Sequence, residues 1–471
     1  MGSNQMGRTE KKSLKKPMKL FLKCLGIWLV YVVICVTVPP IFHKTPVAAE
    51  KAVNMSDCAM AQERVLSIDN NMDALLWRLR LIEAAQERVV LSTFDFRDDN
   101  SGQDVMSALL HAADRGVEIQ ILIDGMNGSL WLPGSRNFRE LAAHERVEVK
   151  FYNPVNLLKP WMINYRLHDK YLIADDFAYI LGGRNTNDLF LGNYKEAYNE
   201  DRDILVYETV PGEGNSYVQL QEYFEQIWNL PCCKRFEKSA GRGKHLEEYY
   251  WKVRDKYPEA FLETAWDTVT IETSGIELCT NPIAAANKQP QLWERLVSEM
   301  EQEKDILIQT PYVICSREMY RELEHICADG SKVEMIINAV EGGANPFGCT
   351  DYLNQKKNIR ETGVQIYEYA GAQALHTKTI LAGNHISIVG SCNLDIRSVY
   401  LDTEMMLFID CPALNASLRR QSQVLKEESK KILPDGTVVE GENYQPVRQG
   451  AVKKIFYGVL RVLIIPFRHL L

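Results

Sequence analysis

Apolar and polar positions along the chain fall into blocks whose period switches between that of a helix and that of a strand. In Met72–Arg88, Leu75, Leu76, Leu79 and Ile82 line one side at helical spacing. Val89–Phe94 reads as a strand, Gly102–Arg115 as a helix and Val117–Ile123 as a second strand. The same order then returns, with a helix at Leu292–Glu303, a strand at Ile306–Thr310, a helix at Met319–Ala328 and a strand at Val333–Ile337. Alternation of this kind predicts an α/β sandwich around a largely buried sheet. The repeat unit is about 180 residues long, so this is an internal duplication and not a solenoid of short repeats.

Two further apolar stretches sit at the ends. Leu25–Val38 carries no charge, and with Leu20, Phe21 and Leu22 it approaches the ~20 residues that cross a bilayer. Lys23 lies near one end, where it can snorkel to the interface. A cleaved signal peptide ending at Val47-Ala48-Ala49 is the competing reading. The long basic region before the segment and the gap of residues after it favour an uncleaved anchor. Positive charge before the span predicts a cytoplasmic N-terminus, a single pass through the cell membrane and a body outside. At the other end, Ala451–Leu471 is apolar but interrupted by Lys453, Lys454, Arg461 and Arg468. It is too charged to span easily; it either lies in the headgroup region or docks on the body's own core.

Length and composition add three constraints. At 471 residues the chain exceeds a single ordinary core, so two core units are expected. The formal charge is -8, yet residues 1–23 carry seven Lys or Arg against Glu10 alone, a local +6 that leaves -14 on the body. Such an acidic body argues against nucleic acid as a partner, because non-specific binding rests on phosphate neutralisation by Lys and Arg. The 11 cysteines include no Cys-x-x-Cys, so nothing supports a zinc site. So many cysteines fit a reducing compartment better than an oxidising one, which pulls against the outward topology.

The duplicated halves each close on a strand with the same phrase, His168-x-Lys170 and His376-x-Lys378. From each His, Lys follows at +2, Gly at +14 (Gly182, Gly390) and Asn at +17 (Asn185, Asn393). On a strand, residues two apart point to one face, so each phrase sets an imidazole beside a cation. Attack on a phosphodiester needs a nucleophile, an acid for the leaving alcohol, and cations or donors for the phosphoryl oxygens. One neutral His can attack phosphorus while a second, protonated His supplies the acid. Lys170 and Lys378 would stabilise the oxygens, with Asn185 and Asn393 as neutral donors. The scheme needs no metal or other cofactor, and the chain offers no acidic cluster to hold one. His43, His111, His144, His245, His325, His385 and His469 have no comparable setting.

The segments Arg166–Asp176 through Gly182–Asn185, and Leu375–Lys378 through Gly390–Ser398, resemble the phospholipase D superfamily. Asp99–Gly102, Ala113–Val117 and Leu401–Met405 are similar to the branch containing bacterial cardiolipin synthases of the C type. That resemblance implies two homologous α/β/α sandwich halves forming one pseudo-symmetric catalytic unit, to which the apolar N-terminal stretch adds a transmembrane helix. It implies ping-pong transfer through a phospho-histidine, with His168 as nucleophile and His376 as acid/base. It also implies a carboxylate, opening the strand after each motif, that orients an imidazole. Glu404 matches that place, with Asp203 as its first-half counterpart; the other reading of both is solvated charge at a strand edge. The family usually has an acid at +7 from each His. Asp175 fits, but the second copy has Gly383. Both fall where a hairpin turns, about 20 Å along a strand from the His, so they are read as turn residues.

The expected domains are an N-terminus with anchor (1–43), a linker (44–65), a first repeat (66–233), a connector (234–262), a second repeat (263–430) and a tail with an amphipathic helix (431–471). The resemblance implies a phospholipid substrate such as phosphatidylglycerol, with no nucleic acid and no obligate protein partner. Transfer to a second lipid hydroxyl is the leading reading. Hydrolysis to phosphatidic acid by the same intermediate is the alternative, and a catalytically silent lipid-binding scaffold the alternative of another class.

Overall fold

A computed structural model describes residues 6–41, 63–237, 243–286, 288–343 and 345–471, with side chains described from residue 17 onward. Most of the expected linker and its alternative cleavage site therefore lie outside the described residues.

Two nine-stranded sheets carry the body, and their strand orders match once shifted by one position, Glu63–Ile68 through Cys233–Arg235 corresponding to Gly275–Thr280 through Ser429–Ile432. The first runs Ile271–Glu272, Glu63–Ile68, Asp203–Glu208, Ala178–Gly182, Tyr171–Ala174, Arg88–Thr93, Glu118–Asp124, Val147–Tyr152 and Cys233–Arg235. The second runs Gly275–Thr280, Met405–Asp410, Ile386–Gly390, Thr379–Ala382, Asp305–Gln309, Lys332–Asn338, Gln365–Tyr369, Ser429–Ile432 and Val438–Glu440. In each sheet three neighbouring strands are parallel, 88–93 with 118–124 and 147–152, and 305–309 with 332–338 and 365–369. The antiparallel hairpins carrying the His-x-Lys phrases pair with the first of these three.

Strand alternation explains how the halves join. Val89 and Leu91 pack into the helices outside the first sheet, whereas Val90 between them faces the second half. Ile306 and Ile308 do the same outside the second sheet, with Leu307 turned inward. Successive side chains of a strand point to opposite faces, so one apolar run serves two cores. Val206, Leu181, Leu407 and Val389 meet in the shared core, flanked by the inner helices Asn215–Trp228 and Pro412–Glu427. Each half is thus an α/β/α sandwich whose inner layer is shared with its partner.

Local signals set the helix ends that border the site. Asp99 accepts from the Gly102 amide at 3.1 Å and caps the helix Asn100–Asp114. A Cβ at Gly102 would collide with the Arg97 carbonyl, so only glycine fits that turn. Asp124 ends one strand and caps Gly125–Trp131 by accepting from Met126 and Asn127.

Two expected boundaries fall inside strands. The second sheet does not stop at residue 430, because Ser429–Ile432 and Val438–Glu440 add two edge strands to it. The connector gives its first residues to an edge strand, Cys233–Arg235, before the helix His245–Lys256. At the N-terminus the helix Met6–Thr37 and the short turn after it contain a stretch, Pro17–Ile41, long and apolar enough to cross a membrane, in which Pro40 at the far end is the buried residue.

Candidate active site

Both His-x-Lys phrases sit just before a hairpin strand, Tyr171–Ala174 and Thr379–Ala382, and both rings face one cavity between the halves. Its volume is about 290 Å³, and His168, His376, Asn185, Asn393, Phe94 and Tyr312 line it. Glycine at +14 has a steric cause. A Cβ at Gly182 would strike Asp203 and the Arg202 carbonyl, and one at Gly390 would strike the Met405 carbonyl. The strand that follows passes too close to admit a side chain.

The residues leading into that following strand carry the carboxylates, and each crosses to the other half. His168 Nδ1 lies 2.8 Å from Glu404 Oε1, and His376 Nδ1 lies 2.5 Å from Asp201 Oδ2. The backbone enforces the exchange. Leu167 bridges Thr403, the His168 amide donates to Thr403 Oγ1 at 3.0 Å, and the Thr403 amide donates to the Arg166 carbonyl. On the other side Ala374-Leu375 pairs with Asn199-Glu200, and the His376 amide donates to the Glu200 carbonyl at 2.6 Å.

The carboxylate expected in the first half, Asp203, is elsewhere. It pairs with Arg78 at 2.9 Å and Arg184 at 3.5 Å, all three side chains buried, and does not meet either imidazole. Asp201 takes the place instead. Strand register shows why: Gly182 pairs with Asp203 while Gly390 pairs with Met406, so the residues two back, Asp201 and Glu404, are equivalent. Counted from the register-equivalent positions Ile204 and Leu407, each acid stands three before, an alignment that the strand pairing supplies.

Electrostatics differ between the two pairs. Burial drives His168 well below its usual value, with the Lys170 charge adding to it. Burial pushes Glu404 up to about 8, against the pull of Lys170. Burial thus favours the neutral form of each partner in this pair. Asp201 is buried too, but Lys378 and His376 outweigh desolvation and hold it well below the usual carboxylate range. His376 is pushed down to about 4, first by burial and then by Lys378, with Asp201 opposing. Burial also brings Lys170 down to about 7 and lowers Lys378. Lys170 Nζ donates to the His168 carbonyl at 2.5 Å, and Lys378 Nζ lies 2.6 Å from His376 Nδ1 and 3.7 Å from Asp201. A single Nδ1 cannot accept from Lys378 while donating to Asp201, so the tautomer decides between them.

The asparagines border the same space. Asn185 Oδ1 accepts from the Asp95 amide at 3.2 Å, leaving its NH₂ end for another partner. Asn393 Oδ1 is buried without a hydrogen-bond partner. Phe94 stands edge-on to His168 and Phe190 edge-on to His376, with ring centroids 5.1 and 4.8 Å apart. Nothing in the spacing of the sequence marks these two rings. The +7 positions are remote from this chemistry. Asp175 occupies the hairpin turn with φ 47° and accepts from the amides of Gln86, Glu87 and Arg88. Gly383 holds the matching turn with φ 57°, and the Glu303 carboxylate fills the space that a side chain there would need.

A family model described as cardiolipin synthase, PLD-like domain, matches residues 79–228 and again 296–425. Cardiolipin synthase C of Escherichia coli is 26% identical over 391 residues, covering 74% of this chain and 81% of that protein. The major cardiolipin synthase of Bacillus subtilis is 26% identical over 362 residues, 74% of this chain and 67% of that one. Among solved structures, the phosphatidylserine synthase of Haemophilus influenzae superposes with a TM-score of 0.61 at 15% identity, covering 86% of this chain and 95% of that one. At that identity the superposition speaks for the shared fold.

Proposed function

The chain belongs to the cardiolipin synthase family of phospholipase D-like enzymes, and from that premise we propose that it transfers a phosphatidyl group between phospholipid alcohols through a phospho-histidine on His168. The family makes it an enzyme of the phospholipase D transferase kind acting on phospholipids. The observation that carries the finer reading is the crossed pairing of two buried carboxylates with two imidazoles around one cavity.

The pairs suit different steps. With Nδ1–H directed at Glu404, the Nε2 lone pair of His168 is free to attack phosphorus. The P–O bond to the head-group alcohol breaks, and His376 Nε2–H gives its proton to that oxygen. The attacking form of the pair is therefore Nδ1–H beside ionised Glu404, and as the ring of His168 becomes cationic that carboxylate balances its charge. In the second half-reaction His376 takes the proton of an incoming lipid hydroxyl, that oxygen attacks phosphorus, and the P–N bond breaks.

Burial and the Lys378 charge keep His376 uncharged near neutral pH. A bound phosphodiester brings a negative charge opposite Lys170 and Lys378, which removes part of their repulsion and raises the imidazolium's stability beside ionised Asp201. Lys170, Lys378 and the amides of Asn185 and Asn393 face the phosphoryl oxygens as charge builds on them. The cavity sits at the small end of ligand clefts, ~300–1,000 Å³, which suits a glycerophosphate head group with its acyl chains outside.

The test uses a donor whose leaving group needs no acid. With phosphatidyl-p-nitrophenol carrying labelled phosphorus, His376→Ala should still release p-nitrophenol and label the protein, whereas His168→Ala should do neither. Labelling of His168→Ala instead would reverse the two assignments. With labelled phosphatidylglycerol, cardiolipin plus glycerol marks transfer; phosphatidic acid alone would mark a hydrolase, and no product from the intact protein would favour a silent scaffold.

A further inference from the structure

The C-terminal helix Ala451–Leu463 is inverted relative to a helix packed on a soluble body. Val452, Ile455, Phe456, Val459, Val462 and Leu463 recur at helical spacing on one face, and that face points away from the protein. Val452 is 83% exposed and Ile455 69%. Lys453 and Arg461 point inward, whereas Lys454 stays exposed. Lys453 Nζ donates to the Glu341 carbonyl at 2.8 Å, Arg461 Nε to Asn354 Oδ1 at 2.8 Å, and Arg468 pairs with Asp351 at 2.7 Å, while Tyr457 is buried among them. The helix is therefore docked on the body by its polar side, with its apolar side left for something else. The docking reading of the sequence holds for the inward side of the helix.

The surroundings indicate what covers that side. The apolar N-terminal helix ends at the same corner: Asn164 Nδ2 donates to the Val36 carbonyl at 2.7 Å, and His469 Nε2 lies 2.6 Å from the Thr37 carbonyl. Beside this junction Leu157 and Leu158 are 60% and 82% exposed. Arg397 ties the corner to the site, donating to the carbonyls of Asn164 and Leu470 and pairing with Asp402 at 2.9 Å, two residues before Glu404. We propose that the C-terminal helix lies flat in the surface of the bilayer that the N-terminal helix enters, seating residues 155–168 and the cavity against the lipid headgroups. A bilayer fits better than a protein partner because the outward stripe continues into a helix of membrane-spanning length at a junction built from hydrogen bonds. The proposal rests on that helix entering a bilayer and is independent of the transfer chemistry.

The test places the photo-crosslinker p-benzoylphenylalanine at Val459, and separately at Val462, in the full chain carrying His168→Ala. The protein is reconstituted in vesicles of phosphatidylglycerol and phosphatidylethanolamine, so that no turnover is needed. Irradiation should give a phospholipid adduct by mass. The yield should exceed that from a probe at Trp251, an exposed residue on an outer helix of the first half, by about tenfold, the partition expected from burying one such side chain. Both outward positions are exposed, so neither substitution threatens folding. Crosslinks to a second copy of the chain, no adduct, or equal yield at Trp251 would each overturn the proposal. Loss of activity in the transfer assay alone would leave it standing.

Discussion

Replacing Glu404 by Gln isolates the contribution of one charge to His168. The carboxylate is fully buried, 2.8 Å from Nδ1, and its second oxygen accepts from Ser391 Oγ at 2.5 Å, so a side chain of equal size has no room to drift. At a separation of ~4 Å between charge centres and an effective dielectric of ~20, the attraction between Glu404 and a cationic ring is about 4 kcal/mol. That attraction exists only once phosphorus has added to Nε2, so its loss falls on the barrier and predicts a decrease in kcat/KM of about 10³. Gln also offers an NH₂ that can donate to Nδ1, a tautomer that blocks attack and deepens the loss. Stability should move the other way. Burial raises the Glu404 carboxyl above its ordinary value, to about 8. The folded state therefore favours the protonated form. The native protein then loses stability as pH climbs from about 4.5 to about 8, and a residue that cannot ionise does not. Glu404→Gln should thus show a Tm equal to or above the parent at pH 8, with the difference closing toward pH 4. Initial rates of cardiolipin formation from labelled phosphatidylglycerol, beside thermal melts at both pH values, test the two halves of the argument. A rate loss under about tenfold would refute the charge-stabilising role.

The two first-half carboxylates should separate cleanly. Asp201→Asn should cut turnover at least a hundredfold, about 3 kcal/mol on the barrier, with little change in melting. Asp203→Asn leaves two buried arginines without their shared counter-charge and should cost about 3 kcal/mol of stability, read as a lower Tm and poor yield. Because burial brings Lys170 down to about 7, its cation is lost as pH rises through that value, and kcat/KM should fall on the alkaline side. Lys170→Arg keeps a charge and should flatten that limb of the pH–rate profile at a lower plateau. Gly383→Asp puts a side chain at φ 57° against Glu303, and should lower stability by about 1–2 kcal/mol while leaving the turnover of folded protein unchanged. A gain in turnover would mean that the native turn impairs the second half.

What the chain showed before its fold was known divides along a physical line. Periods of 2 and 3.6 are local, so the two sheets and their order could be read as a duplication. The His, Lys, Gly and Asn register is local as well, and one strand hairpin explains all four positions. The acid at the first half was misplaced by two residues because Asp201 and Asp203 both precede Ile204-Leu205-Val206, and local pattern alone does not say which side chain faces the cavity. Strand pairing does, through Gly182 with Asp203, which turns Asp203 toward Arg78 and leaves Asp201 at the sheet's end. The crossing of the carboxylates is legible even less, because it is a contact over more than 170 residues in each direction. It depends on two short pairings, Leu167 with Thr403 and Leu375 with Glu200, neither of which has an apolar pattern of its own. The crossing has a consequence that duplication alone would not require. A half expressed by itself would hold a histidine without its acid and an acid without its histidine, so the two copies form one site and not two. Each repeat is then constrained by the needs of the other, and a loss in either carboxylate reaches the imidazole on the far side of the interface.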